Sequence, residues 1–332
     1  MLKSSFYSLF ITLICFFSEM KGQEIISIDS LKINQIQTLG SHNSYHQRAN
    51  KFVLRFLKGL SGLLPKEFNP KELDYAHEPL PVQLDSFHLR SFELDIYADP
   101  NGGLFYNRKK NNLLGKPKAS NIDALKAPGF KLLHIPDIDY NAHYPTFVSA
   151  LSELKKWSDA HPQHLPIYIL VECKVESIAE KLKKMHFTNT LPFTPEIVND
   201  IDKEIKSVFG DSLNNIITPD KVRGNYATLN EAVLAHNFPT IGEARGKFIF
   251  VMMEVGADNY LLNHPSLKGR AMFTFSSPDK PECAFIKFDD ALENEAKIMD
   301  AVKKGYIIRT RADSPNKQNR SGDYSQQQAA FR

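Results

Sequence analysis

His42 and Asn43 stand side by side in QTLGSHNSYH, residues 37–46, where a glycine, two serines, two histidines and an asparagine crowd into seven positions. A loop that only turned would not need two imidazoles and a carboxamide. Further along, Glu93 and Asp95 sit two apart in SFELDIYADP, and Glu172 precedes Lys174 in LPIYILVECK. Asn43, Glu93, Asp95 and Glu172 together form a set of hard oxygens. Calcium takes roughly 6–8 oxygen ligands in adaptable geometry, so four protein groups would leave room for water and substrate oxygens. No thiolate accompanies the set, and the histidines are too scattered for a three-imidazole zinc site. A Glu-x-Asp strand can equally serve to pair with basic strand ends, and that alternative stays open.

Two histidines near different strand ends, His42 and His134, add acid–base capacity. Imidazole titrates near neutrality and can give or take a proton. Cleavage of a phosphodiester needs a base for the attacking oxygen and an acid for the leaving one. Lys174, Arg309 and Arg311 carry donors suited to phosphate and other substrate oxygens; pairing with the carboxylates is the competing role. Asp137 and Asp139 follow His134 closely, and Asp137 is a candidate to orient a histidine or a substrate hydroxyl.

These residues need elements to bring them together. Short apolar runs ending in polar residues occur at KINQIQTLGSHN, SFELDIYADP, FKLLHIPDIDY, LPIYILVECK, KFIFVMMEV, CAFIKFDD and GYIIRTRAD. Helical patterns lie between them, as at Thr146 to Ala160 and Pro195 to Phe209. Nearly continuous apolar strands alternating with helices predict a parallel sheet covered on its outer face. The polar ends then gather where a TIM-like (β/α) barrel builds its site. Side chains alternate along a strand, so Glu93 and Asp95 face one way, as do Glu172 and Lys174, and Arg309 and Arg311. Seven such strands are one short of a closed barrel, so the α/β fold is expected to be an irregular barrel.

SHNSYH, FELDIYADPNGG, LLHIPDIDY, LVECK, RGKFIFVM and IIRTRAD, in that order, resemble the secreted calcium-dependent phosphoinositide-specific phospholipases C from about Ile33 to the last residue. The SHN and ELD pieces are also similar to the catalytic barrel of the animal enzymes. The resemblance implies Ca²⁺ as cofactor, with Asn43, Glu93, Asp95 and Glu172 as its ligands and His42 and His134 as the catalytic pair. It implies cleavage of phosphatidylinositol to diacylglycerol and inositol phosphate through a cyclic inositol phosphate. It also implies a phosphatidylinositol or membrane-surface partner.

Two features depart from that pattern. His134 follows Glu93 by 41 residues, across an excursion rich in Lys and Asn. After QQQAAFR, the small-residue segment and eighth strand ending near Thr-Asp-Tyr are absent, so the barrel is expected to be open between its first and seventh strands. The competing readings are a glycerophosphodiester phosphodiesterase on soluble substrates, against which HNS stands in place of His-Arg-Gly, and an inactive truncated barrel.

At its start the chain has Lys3 and then an apolar run from Phe6 to Phe17, too short to span a bilayer. Residues 1–22 are expected to be a signal peptide, with secreted or periplasmic localisation and one barrel domain over 23–332. That leaves only Cys173 and Cys283, which is no disulfide framework. A net charge of +3 gives no case for nucleic acid, and no glycine-rich phosphate loop supports a nucleotide cofactor. A monomer is expected. Finally, KFVLRFLKGLSGLLPK, Lys51 to Lys66, places Val53, Phe56, Leu57, Leu60, Leu63 and Leu64 at helical spacing with basic residues opposite. Such a helix could enter an anionic lipid surface or bury its stripe against the barrel.

Overall fold

The computed structural model describes residues 27–59, 69–108, 117–177, 187–313 and 317–332. Seven parallel strands run through these residues: β1 Gly40–Ser41, β2 Ser91–Tyr97, β4 Ile167–Cys173, β5 Phe248–Met252, β6 Phe273–Thr274, β7 Phe285–Asp290 and β8 Ile307–Arg311. One further strand, β3 Lys131–Leu132, is antiparallel to β2. Ladders connect β1, β2, β4, β5 and β6 in that order, and β7 with β8. A parallel bridge between Phe275 and Phe285 joins the two groups.

The expected strands and the observed parallel strands both number seven, yet they are not the same seven. FKLLHIPDIDY supplies only the two-residue antiparallel β3, because the chain turns back at once. His134 N–H donates to Asp139 O at 3.1 Å and Ile135 N–H to the same oxygen at 2.9 Å, with Asp137 in the left-handed region at φ 64°. The strand that sequence reading missed is β6, too short to show a periodicity. The expected opening between first and last strands is present: no ladder joins β1 to β8 among the described residues. The seam is crossed by side chains, with Asn34 Nδ2 donating to Gly305 O at 2.8 Å and Gln37 Nε2 to Phe331 O at 3.4 Å. Gln326, buried on the helix Ser325–Phe331, donates to Arg311 O at 3.1 Å.

Helices cover the outer face. Thr146 accepts the Ser149 N–H and Ser149 returns the bond, fixing the start of Phe147–Ala160, whose Leu151, Leu154 and Trp157 are buried. Pro195–Phe209 begins at a proline with Thr194 as its cap, and ends at Gly210, φ 84°. Their apolar faces meet Phe92, Leu94, Ile169 and Val171 in one core, which leaves Glu93, Asp95 and Glu172 to the barrel interior. The buried Cys173 and Cys283 are free thiols.

Glu204, on Pro195–Phe209, accepts the Phe130 N–H at 2.9 Å and ties the helix to the start of β3. Burial pushes its pKa up to about 7 from 4.5. A raised folded value means the folded state holds the proton more tightly, so stability present at pH 4.5 is lost as pH rises toward 7. Glu204→Gln keeps the accepting oxygen and removes that titration. It is expected to raise the melting temperature at pH 8 and leave it nearly unchanged at pH 4.5, as thermal unfolding at both pH values would show.

Candidate active site

The site grows from the register of β2 and β4. Asp95 is the Cα partner of Glu172, and Glu93 of Leu170, so three carboxylates project from two adjacent strands into the mouth. Each offers an oxygen within 4.8 Å of the others. Asp95 is fully buried. Burial raises its pKa well above the ordinary range, Lys174 works against that, and Glu172 and Glu93 add to it. His42 Nε2 lies 3.2 Å from Glu93 Oε1, yet off the hydrogen-bonding direction, so this buried oxygen has no hydrogen-bond partner.

Asn43 completes the set from the loop after β1. Its backbone is left-handed at φ 50°, a conformation asparagine tolerates well, and its side chain is buried between Asp95 and Tyr75. With its amide nitrogen on Asp95, it donates at 3.0 and 3.2 Å while its oxygen accepts from Tyr75 OH at 2.8 Å. Turned the other way, the nitrogen donates to Tyr75 and the oxygen faces the carboxylate. That second arrangement sets acceptor against acceptor while Asp95 is ionised, and a cation or a proton between them relieves it. Four oxygen-bearing groups, a clustered negative charge and a partnerless carboxylate oxygen fit a hard divalent ion such as calcium.

The three cations expected at the mouth are present and engaged with its acids. Lys174 Nζ lies 3.0 Å from Glu172 Oε1 and 3.8 Å from Asp95 Oδ2. Arg309 reaches Glu93 Oε2 at 2.8 Å and also bonds Asp289. Arg311 Nε is 3.5 Å from Asp289. Burial, then the guanidiniums of Arg311 and Arg309, hold the His42 imidazole below its ordinary pKa, which leaves it neutral; 46 % of that side chain still meets solvent.

His134 stands on the turn after β3. Its Nδ1 is 2.9 Å from Asp139 Oδ2, and 18 % of its side chain is exposed. Of the two roles expected for Asp137, orienting a histidine or a substrate hydroxyl, the first belongs to another residue. The Asp137 carboxylate accepts the Thr188 N–H at 2.7 Å, and Asp139 holds the histidine instead. In the 135–139 turn, the left-handed backbone at Asp137 presents Asp139 to the ring. Burial works to raise the Asp139 pKa, but the hydrogen bonds from His134 and His46 win and hold it below the carboxylate range.

Sequence reading therefore missed Asp139, Asp289, Tyr75 and the role of His46. Asp139 lies in the same PDIDY run as Asp137, and His46 lies in SHNSYH, so proximity marked both without choosing between neighbours. Tyr75 reaches the site from an irregular segment that carries no periodicity. Of the proposed lipid-facing helix, Lys51–Gly59 is helical, with Val53 and Leu54 buried and Phe52 64 % exposed. Leu60, Leu63 and Leu64, like the expected signal segment, lie outside the described residues.

The family model for the Ca²⁺-dependent phosphoinositide phospholipases C matches residues 31–332. Among solved structures, the calcium-dependent phosphoinositol-specific phospholipase C of a Pseudomonas species is similar in its apo form, with TM-score 0.54 and 18% identity over 87% of this chain and 85% of that one. Its myo-inositol complex gives 0.52 and 18% over 85% and 83%. No curated protein sequence matches. At such identity the structures speak for a shared barrel fold, and the family match spans the strands that carry every acid and imidazole described above. This chain belongs to the Ca²⁺-dependent phosphoinositide phospholipase C family of phosphodiesterases.

Proposed function

We propose that this protein cleaves phosphatidylinositol in a calcium-dependent reaction, releasing diacylglycerol and a cyclic inositol phosphate that water then opens. The observation that carries the reading is the cluster of Glu93, Asp95 and Glu172 oxygens within 4.8 Å of one another, with Asn43 beside Asp95. These four groups would hold the ion. When bound, calcium neutralises charge developing on the phosphoryl oxygens and lowers the pKa of the attacking hydroxyl.

The chain's own residues account for the proton traffic. The inositol hydroxyl next to the phosphate attacks phosphorus, and its proton passes to the neutral His42. The bond from phosphorus to the glycerol oxygen breaks, and that oxygen takes a proton from Nε2 of His134. Asp139 on Nδ1 of His134 supports this choice of acid, because it leaves the other nitrogen for the leaving group. Lys174 and Arg309 suit contacts with the phosphate and ring hydroxyls once Glu172 and Glu93, with which they now pair, serve the ion, and Arg311, held by Asp289, lies at the same mouth. Ring opening reverses the two histidines' roles.

A lipid substrate suits the exposed Phe52 with Arg55 over its ring at 6.0 Å and Lys51 beside it, an apolar and basic edge for an anionic bilayer. Lys3 and the run Phe6 to Phe17 support export, with processing near Gln23. The test is phosphorus NMR of products from phosphatidylinositol vesicles and, separately, glycerophosphoinositol. Cyclic inositol phosphate from vesicles, appearing before the open phosphate and abolished by chelation, is the expected result. Turnover of the soluble diester alone would place the enzyme on glycerophosphodiesters, and no turnover of either would overturn the reading.

A further inference from the structure

His46 is fully buried, and neither the ion cluster nor the proton-transfer steps above use it. Its Nε2 lies 2.8 Å from both oxygens of Asp139. Asp139 is itself fully buried, and its Oδ2 also receives Nδ1 of His134. The His46 ring stacks on Tyr75 at 4.3 Å between centroids and meets the edge of His134 at 5.9 Å. Its backbone is anchored on three sides: His46 N–H to Asn43 O at 2.9 Å, His77 N–H to His46 O at 3.0 Å, and an antiparallel bridge to Ala142.

A ring present only to fill space would be better served by phenylalanine, because Nδ1 of His46 is buried with no hydrogen-bond partner. The tautomer follows from this. Both Asp139 oxygens are acceptors, so the proton belongs on Nε2. The bare Nδ1 is the lesser burden, since a proton there would be a buried donor without an acceptor.

We propose that His46 is a positioning residue for catalysis: its Nε2–H clamps both oxygens of Asp139, so that Oδ2 fixes the Nδ1 proton of His134 and aims Nε2 at the leaving oxygen. Without the clamp, the carboxylate can rotate about its last torsion, which has no steep staggered preference, and His134 turns with it. The same ring touches Tyr75, which bonds Asn43. One continuous chain of contacts thus runs from the ion cluster to the acid. The inference rests on the phospholipase reading and deepens it.

Long-range proton–nitrogen NMR of the unmodified protein reads the His46 tautomer, with a proton on Nε2 expected; a ring without that proton overturns the clamp. His46→Phe keeps the stacking shape and deletes the donor. It is expected to lower kcat about 10- to 100-fold, the range for removing a partner that orients a functional imidazole. KM and the calcium-induced rise in melting temperature should stay as they are. His46→Gln restores an N–H at similar reach and should recover most of the loss. Wild-type kcat in the Phe variant, or equal impairment in a folded Gln variant, overturns the proposal. If the Phe variant does not fold, the Gln variant and the tautomer decide. An unmodified protein without calcium-dependent release counts against the phospholipase reading, while the tautomer still decides the contact.

Discussion

Asp95→Asn is expected to reduce calcium-dependent release of inositol phosphate by on the order of 10²–10³-fold, the scale for losing one preorganised stabiliser of transition-state charge. The metal-free protein should become no less stable. Asp95 is fully buried beside Glu172 and Glu93, and its charged form is disfavoured by that burial, with Lys174 as the countering cation. A neutral amide of the same shape removes like-charge repulsion. It gives up the long contact to Lys174 at 3.8 Å and leaves the Asn43 amide one oxygen of Asp95 to donate to instead of two. The signature is a crossing of effects. Activity collapses, the metal-free melting temperature holds or rises, and the stabilisation that calcium gives the native protein by mass action disappears. Differential scanning calorimetry with and without calcium, beside the release assay, reads all three. A variant that keeps its calcium-induced stabilisation would remove Asp95 from the ion site.

His134→Ala should lower kcat on phosphatidylinositol by about 10²–10⁴-fold, the usual worth of a positioned general acid. The loss should depend on the leaving group. A glycerol alkoxide needs a proton as it departs, whereas a nitrophenolate leaves readily without one. On an inositol phosphate ester of nitrophenol, the variant should therefore recover most of the missing rate. His42→Ala, the proposed base, should lose activity on both substrates. Equal losses for His134→Ala on the two esters would show that it acts through binding or structure, and the acid would have to be sought elsewhere.

What could be read from the sequence follows from which forces are local. Alternation in β2 and β4 put Glu93, Asp95 and Glu172 on inward faces, because period-two burial is written residue by residue along a strand. The helices Phe147–Ala160 and Pro195–Phe209 announced their ends through Thr146, Thr194 and Gly210. The failures sit where the chain turns. FKLLHIPDIDY has strand composition, but its bonds go back to Asp139, five residues after His134, and no periodicity records a return that tight. The contact to His134 falls to Asp139 and not to Asp137 for the same reason: along a turn, the nearest acid in sequence need not be the nearest in space. Tyr75 could not be found by pattern at all, since it contributes one hydroxyl and one ring face from an irregular segment. Lys174 and Arg309 were legible as mouth residues. Their pairing with Glu172 and Glu93 depends on charge balance across strands distant in sequence.

Two clusters could hold a metal among the described residues: Glu93, Asp95 and Glu172, and His46, His134 and Asp139. In the second, imidazole nitrogens and carboxylate oxygens satisfy one another at 2.8–2.9 Å. In the first, three carboxylates crowd one mouth with Lys174 and Arg309 on their outer oxygens, and Glu93 Oε1 has no hydrogen-bond partner. The most direct measurement is anomalous diffraction from crystals grown with calcium. A single strong peak enclosed by Asn43, Glu93, Asp95 and Glu172, with the His134–Asp139 contact intact, is the predicted result. A peak between His46, His134 and Asp139, or none beside the three carboxylates, would contradict the assignment of the calcium site and the division of labour built on it.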